Sequence, residues 1–425
     1  MGESEVRRTV ETVWRMEAGR VVAGIAGIVR DVGLAEELAQ DAMVAALEQW
    51  PRDGVPANPG AWLTTVGKRR AVDLVRRQQT RDRVVDALGR DLDEHHTPDF
   101  DAAVEDRIED DLLRLIFVSC HPVLSPIARA ALTLRLLGGL TTGEIARAFL
   151  TTESTIGQRI TRAKQTLAAA KVPFEVPEPA ERAERLGSVL EVVYLIFNEG
   201  YAATAGDDWM RPALAQEALR LARQLQALMP GEPEVHGLAA LLEIQASRTR
   251  ARTGPDGEPI LLNDQDRSRW DRLLIRRGLA ALDRARTDHP GPYAVQAEIA
   301  ACHARARTPE ETDWARIATL YVELARLVPS PVVELNRAVA VAQADGPAAG
   351  LELARKLADE PALAQYHLLP SVLGDLLAKL GRHDEARREF ERAASLAGNA
   401  RERALLLDRA AASDRSGRHQ RSEKS

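Results

Sequence analysis

The sequence predicts an all-α protein, and three observations carry that expectation. Apolar residues make up 45% of the chain, dominated by Ala, Leu and Val, while aromatic residues supply only 4%. Ala and Leu lose little side-chain entropy in a helix, so this composition favours helices over strands. Apolar positions recur at helical spacing and few stretches alternate strictly, with proline and glycine clusters such as 51–59 marking the breaks. At 425 residues the chain is long enough for two or three domains, each burying its own core.

Residues 3–29 form the first expected helix, with Val6, Val10, Val13, Val21, Ile25 and Ile28 as its apolar stripe. Residues 31–33 break it. A second helix, 34–50, places Leu38, Met43 and Leu47 on one side and Glu36, Glu37, Gln40, Asp41 and Glu48 on others. Pro51, Gly54, Pro56 and Pro59 then mark a loop, with Pro59 suited to open the next helix. That helix, 60–83, is basic: Lys68, Arg69, Arg70, Arg76, Arg77, Arg81 and Arg83 stand against Asp73 and Asp82. Its apolar surface comes from Trp62, Leu63, Val66, Val72, Leu74 and Val75. The sign then reverses, because residues 86–111 hold eleven carboxylates and two arginines. Such a run is expected to be solvated or bound to something basic, and poorly ordered until about Phe100.

A second helical unit starts at 101–120, with Leu112, Leu113, Ile116 and Phe117 as core, and continues at 127–137 after Pro122 and Pro126. Residues 141–167 read as a helix-turn-helix. Thr141 or Thr142 caps its first helix, whose core is Ile145, Ala146 and Phe149; residues 150–152 make the turn. Thr152 or Ser154 caps the second helix, and Ile156, Ile160 and Ala163 face inward. Pro173, Pro177 and Pro179 form a stiff linker that places a domain boundary near 172–179. Beyond it, 180–412 reads as stacked helical hairpins. At 374–393, Gly374, Gly381, Ala386, Phe390 and Ala393 fall at tetratricopeptide spacing, where small residues let two helices approach closely. Residues 413–425 are expected to be a frayed tail.

Net charge is −6, yet the cations are segregated into two modules on either side of the acidic run. Cations laid along a surface bind phosphates, so the layout points to DNA held in two places. Several function classes drop out. Cys120 and Cys302 are far apart, which excludes a disulfide framework and a clustered-thiolate metal site and fits a reducing compartment. The apolar run 21–29 is too short for a span of roughly 20 residues, and no signal-peptide pattern is present, so a cytoplasmic location is expected. Cys120 and His121 are adjacent, so their side chains diverge rather than pair as nucleophile and base, and no phosphate-binding glycine loop appears. No catalytic residue, metal or cofactor is expected.

Gln40-Asp41 in an acidic helix, then WLTTVGKRRAVDLVRR, an acidic spacer and a helix-turn-helix ending STIGQRITRAKQTL together resemble the extracytoplasmic-function sigma factors of bacterial RNA polymerase. The likeness covers residues 6–172 in order and spacing. It implies that Glu36, Glu37, Gln40 and Asp41 dock on core RNA polymerase. It implies too that Trp62, Lys68, Arg69, Arg70, Asp73, Arg76 and Arg77 engage and melt the −10 element. Ser154, Thr155, Gln158, Arg159, Arg162 and Lys164 would read the duplex −35 element. Gly157 departs from the pattern, standing where the family often has a cation. The implied domains are region 2 at 1–84, an acidic linker at 85–108, region 4 at 109–172 and the repeats at 180–412. The segment VYLIFNEGYAAT at 193–204, with the hairpins, resembles the sigma subgroup that carries a long tetratricopeptide-like extension. There Tyr194, Phe197, Asn198, Glu199 and Tyr201 form either a contact surface toward the sigma modules or a domain-starting turn buried for packing. The extension is the expected seat of regulation, through contact of a concave groove with the sigma modules or with another protein. The alternative reading of the whole is a helix-turn-helix regulator that works without polymerase and senses a ligand or peptide through its repeats.

Overall fold

The structure, a computed structural model, describes residues 3–87, 108–149, 151–203, 208–255 and 257–423. Among them the regular structure is helical, with one isolated antiparallel bridge between Thr253 and Pro259. Most of the acidic linker, the turn residue Leu150 and the last two residues of the tail lie outside the described residues. Two compact units are present, Met1–Leu195 and Ile196–Ser425.

The first unit is organised by α1 (Glu3–Val29), which packs on α2 (Val32–Asp53), α3 (Pro59–Ala87), α4 (Ile108–Ser119) and α5 (Pro126–Leu136). Val6, Val10, Trp14, Ala18, Val21, Val22, Ala23, Ile25 and Ala26 are all buried, so apolar contact extends well around the helix. Asp31 caps α2 by accepting from the Leu34 amide at 2.8 Å. The loop expected from Pro51 starts later than the sequence suggested. Helix α2 runs through Pro51 to Asp53, because a missing amide in a final turn forfeits a single bond; Gly54, at φ 83°, closes the end by donating to the Trp50 carbonyl.

Helices α4, α5, α6 (Thr142–Ala148) and α7 (Glu153–Ala169) make the helix-turn-helix module. Thr141 is the cap of α6: its hydroxyl accepts from the Glu144 amide at 3.1 Å while the Glu144 carboxylate accepts from the Thr141 amide at 2.9 Å. Thr152 caps α7 by accepting from the Thr155 amide at 3.1 Å. Ile145, Ala146, Ile156, Ile160, Ala163 and Leu167 fill the angle between the two helices.

Helix α8 (Pro179–Tyr201) begins after the proline linker, and the division between the units falls inside it rather than in the linker. Its first half is stitched to α4 and α5. Ser188 donates to the Cys120 carbonyl at 2.7 Å, Arg185 donates to the Phe117 carbonyl at 3.2 Å, and Arg129 pairs with Glu191 at 3.1 Å. Leu186, Val189, Leu190, Val192 and Val193 are buried.

The second unit continues through α9 (Pro212–Leu228), α10 (Pro233–Ser247), α11 (Arg272–Arg284), α12 (Pro292–Arg305), α13 (Trp314–Leu327), α14 (Pro331–Asp345), α15 (Pro347–Arg355), α16 (Leu368–Lys379), α17 (His383–Leu396) and α18 (Ala400–Glu423). Its extensive contacts join helices one or two places apart in the chain, the arrangement of a stacked array. Proline occupies the first turn of α9, α10, α12, α14 and α15, where its missing amide costs nothing. Gly374 in α16 meets the Phe390 ring of α17, and a Cβ there would lie 2.9 Å from that ring. Gly381, at φ 72°, turns the chain between the two helices.

Gly200 shows how closely helices approach in this unit: a Cβ would stand 2.9 Å from the Leu214 carbonyl carbon and closer still to the Ala215 nitrogen. Backbone cannot rotate away as a side chain can. Gly200→Ala is therefore expected to lower the stability of the second unit by about 1–3 kcal/mol, measured as a shift in the denaturant midpoint.

Candidate nucleic-acid interface

Helix α3 carries the first cationic surface. Arg69, Asp73, Arg76 and Arg77 are exposed, Lys68 and Arg70 half-buried, and Arg70 pairs with Asp41 of α2 at 3.4 Å. The side chains of Arg81 and Arg83 lie outside what is described. Trp62 is half-buried, and its ring meets Trp50 edge-on at 5.5 Å and 67°, so part of its surface is committed to packing. Leu63 and Ala71 anchor the opposite side of α3 in the core. At Gly67 the close approach of Ile25 from α1 leaves no room for a Cβ.

Helix α7 carries the second surface. Ser154, Thr155, Gln158 and Arg162 are exposed and Arg159 is half-buried. With Thr166 and Val123 to Ser125 of the loop before α5, Thr155, Gln158, Arg159 and Arg162 border a shallow cavity of about 310 Å³. Gly157 lies between them with only the Thr142 methyl, at 3.9 Å, near the place of a Cβ.

Lys164 and Glu36 do not lie on open surface. The Glu36 carboxylate is 3% exposed, accepts from Arg135 Nε at 2.5 Å and from Gln40 Nε2 at 2.7 Å, and is ion-paired with Lys164. Arg135 also donates to the Leu140 carbonyl at 3.1 Å. Of the four residues expected to dock on polymerase, Glu37, Gln40 and Asp41 are exposed and Glu36 is not. A second polar joint runs across α1. Gly24 gives passage to the Lys68 side chain, and Gly27 lies against the Asp111 carboxylate, 2.6 Å from the place of a Cβ. Burial pushes the Lys68 ammonium down and Asp111 partly offsets this; burial likewise pushes the Asp111 carboxyl up against the pull of Arg114 and Lys68. Arg15 pairs with Glu144, and Arg30 with Glu175 at 3.6 Å.

Spacing did not reveal Arg135 or Asp111, whose partners are 99 residues away and across another helix respectively. A signal for Glu36 did exist. It falls on the same helical face as Ala35, Leu38, Ala39 and Ala42, all buried, and a carboxylate on such a face needs cations.

Phe197, Glu199 and Tyr201 are engaged within the second unit. Phe197 is buried and stacks on Tyr201 at 5.3 Å, Glu199 pairs with Arg211, and the Tyr201 ring lies 3.4 Å from the Arg252 guanidinium while its hydroxyl accepts from Arg248 at 2.7 Å. Asn198 is exposed and Tyr194 half-buried. Cys120 is buried beside Thr133, and burial pushes its thiol up to about 11; burial, with Arg185 adjacent, pushes His121 down to about 4. A protonated thiol beside a neutral imidazole that bonds the Val123 amide is not an activated nucleophile. Among the described residues no cluster of three or more His, Cys, Asp or Glu could hold a metal ion, and no helix is long and apolar enough to cross a membrane.

Two cation-bearing helices in one unit, one at the end of a helix-turn-helix, define a DNA-binding transcription protein. Comparison with known proteins makes that class specific. Residues 14–81 match sigma-70 region 2 and residues 114–167 match sigma-70 region 4. Residues 185–286 match a family of unknown function, DUF6596. The chain is 33% identical over 148 residues to the ECF RNA polymerase sigma factor SigK of Mycobacterium ulcerans, covering 33% of this chain and 74% of that one. SigK of Mycobacterium tuberculosis H37Rv is 31% identical over 153 residues, covering 35% of this chain and 78% of that one. An uncharacterized protein of Rhizobium meliloti is 48% identical over 379 residues, 89% of each chain, so the extension is shared as well. The protein belongs to the extracytoplasmic-function sigma factors, with a C-terminal extension. As such it binds core RNA polymerase and promoter DNA, directs transcription initiation and catalyses no reaction itself.

The Glu36 contact has a pH signature. Burial pushes its carboxyl up, but Arg135 and Lys164 outweigh burial and hold it below the usual range. A depressed carboxyl contributes stability above its unfolded value, about 4.3, and loses it as pH falls through the folded value. Glu36→Gln is therefore expected to cost about 3 kcal/mol at pH 7. The gap from wild type should narrow progressively as pH falls from about 4.3 through the lower folded value, as read from urea titrations across the pH range.

Proposed function

We propose that the two cationic helices divide the promoter between them. Helix α3 engages the melted −10 element through Lys68, Arg69, Arg70, Arg76 and Arg77, with Trp62 stacking on an unpaired base from its open side and Asp73 placed among the cations. Helix α7 enters the major groove at the −35 element, where Ser154, Thr155, Gln158 and Arg159 address base edges and Arg162 and Lys164 the phosphates. Polymerase docks on α2 through Glu37, Gln40 and Asp41, while Glu36 stays paired with Arg135 and Lys164. The observation that supports this division is the exposure of Arg69, Arg76 and Arg77 on one module and of Gln158 and Arg162 on the other. The extension is a tetratricopeptide-like array through which a protein partner regulates initiation, and the chain acts in the cytoplasm. The spacing of Gly374, Gly381, Ala386, Phe390 and Ala393 supports the repeat reading.

Run-off transcription with core enzyme and the full chain tests the assignment. Arg162→Ala is expected to weaken promoter binding by about 1–3 kcal/mol and Gly157→Lys to strengthen it, since the open position at 157 would gain a phosphate contact. Equal footprints for all three proteins would count against α7. Asp41→Arg abuts Arg70, but an exposed pair of this kind is worth about 0–1 kcal/mol to the fold. It should lower co-purification with core polymerase while leaving the melting curve nearly unchanged; a helix-turn-helix regulator independent of polymerase would show no such loss.

A further inference from the structure

We propose that the second unit holds a binding site for an amphipathic carboxylic acid, an aliphatic chain carrying one carboxylate. The site is the cavity between the 259–264 segment and helices α13, α14, α16 and α18. It goes beyond the regulation by a protein partner proposed above, and it shares no residue with the DNA and polymerase surfaces.

A long connection makes one wall of the cavity. The 24 residues between Ser247 of α10 and Arg272 of α11 far exceed the roughly 2–8 usual between packed helices, and connections of such length are generally binding or lid segments. This one is firmly held. Arg252 near its start donates to the Tyr201 carbonyl, and Arg267 near its end donates at 2.9 Å to the carbonyls of His303 and Ala306. Between them the buried Gln265 donates to the Ile260 carbonyl at 3.1 Å. Pinned at both ends, the connection presents residues 259–264 to helices from much later in the chain and bounds about 740 Å³, a volume that takes a drug-sized molecule. The connection itself takes the inner surface that an extended polypeptide would need, which leaves room for a small ligand.

The lining sets the chemistry of that ligand. Leu261, Leu262, Val339, Val372 and Leu405 border the cavity and none is buried by the fold, Leu261 being 43% exposed. Their surface is aliphatic and open for an alkyl chain to cover. Charge then gives the ligand its direction. On the wall made by α16 and α18, Asp375 accepts from Arg409 and pairs with Lys379 at 3.0 Å, so two cations share one carboxylate and a positive charge is left over. The Arg409 guanidinium lies over the Phe390 ring at 4.5 Å, which fixes it before any ligand arrives. Ser371 and Gln343 add neutral donors to the same lining. Asp264, exposed on the connection, repels an anion and turns the ligand's carboxylate toward Arg409 and Lys379.

Calorimetric titration of the full chain with octanoate, decanoate and dodecanoate tests the site. Affinity is expected to rise about fourfold per added methylene, and dodecanol should bind about tenfold more weakly than dodecanoate. Trp314 borders the cavity, so dodecanoate should change the tryptophan fluorescence of the wild type and leave that of Trp314→Phe unchanged. Lys379→Met and Leu261→Asp alter exposed positions and should keep the fold. Each should weaken dodecanoate binding by about tenfold. Absence of binding by all three acids, or equal binding of dodecanol and dodecanoate, overturns the proposal. So does unchanged affinity in both variants with normal melting curves. The titration needs neither polymerase nor promoter, so failure of the contacts proposed for α3 and α7 would leave its result standing.

Discussion

Burial of α1 on several sides is the constraint on which the first unit depends. A helix that met only one neighbour would need a single apolar stripe, yet Val10, Trp14, Ala18, Val21, Val22, Ala23, Ile25 and Ala26 are all withdrawn from water. At roughly 0.8 kcal/mol per buried methylene, those side chains contribute substantially to the stability of the unit. They also fix the price of chemistry nearby. Once α1 lies between α2, α3, α4 and α5, any charge crossing it must pass over glycine, and Gly24 and Gly27 sit where Lys68 and Asp111 do so.

The second unit solves a different problem with arginine. Arg252 is buried between the Tyr201 ring at 3.4 Å and the Trp209 ring at 4.3 Å, and burial pushes it down to about 10, so it stays charged at neutral pH. Its guanidinium bonds the Tyr201 carbonyl at the end of α8. Arg267 does the same for α12, donating at 2.9 Å to the carbonyls of His303 and Ala306. Cations at helix C-termini satisfy orphan carbonyls and oppose the helix dipole, and the aromatic faces lessen the cost of taking them out of water.

Local chemistry was legible in the sequence and distant pairing was not. The caps at Thr141 and Thr152, the break after α1, the turn at Gly381 and the approach of Gly374 to Phe390 follow from residues a few places apart. So does the exposure of Gln158 and Arg162, because the apolar positions of α7 leave them no other face. Lys164 and Lys68 were read as surface groups because each sits among polar neighbours in sequence, and Glu36 was read so despite the alanine-rich face it shares. Their burial is decided by Arg135 and Asp111, which local periodicity does not bring near them. The end of α2 was misplaced for a related reason: a proline is a strong local signal, and tertiary packing of Trp50 carried the helix past it.

Helix α8 bears on how such a chain is assembled over evolutionary time. Its opening turns cover Phe117 and Cys120, while its closing turn supplies the aromatic stack of Phe197 and Tyr201. A recombination breakpoint in the proline stretch would separate the sequences neatly and leave a hydrophobic face of the helix-turn-helix module naked. A chain cut there would lose the hydrogen bonds that Arg185 and Ser188 make to the carbonyls of Phe117 and Cys120, although those residues belong to the first unit.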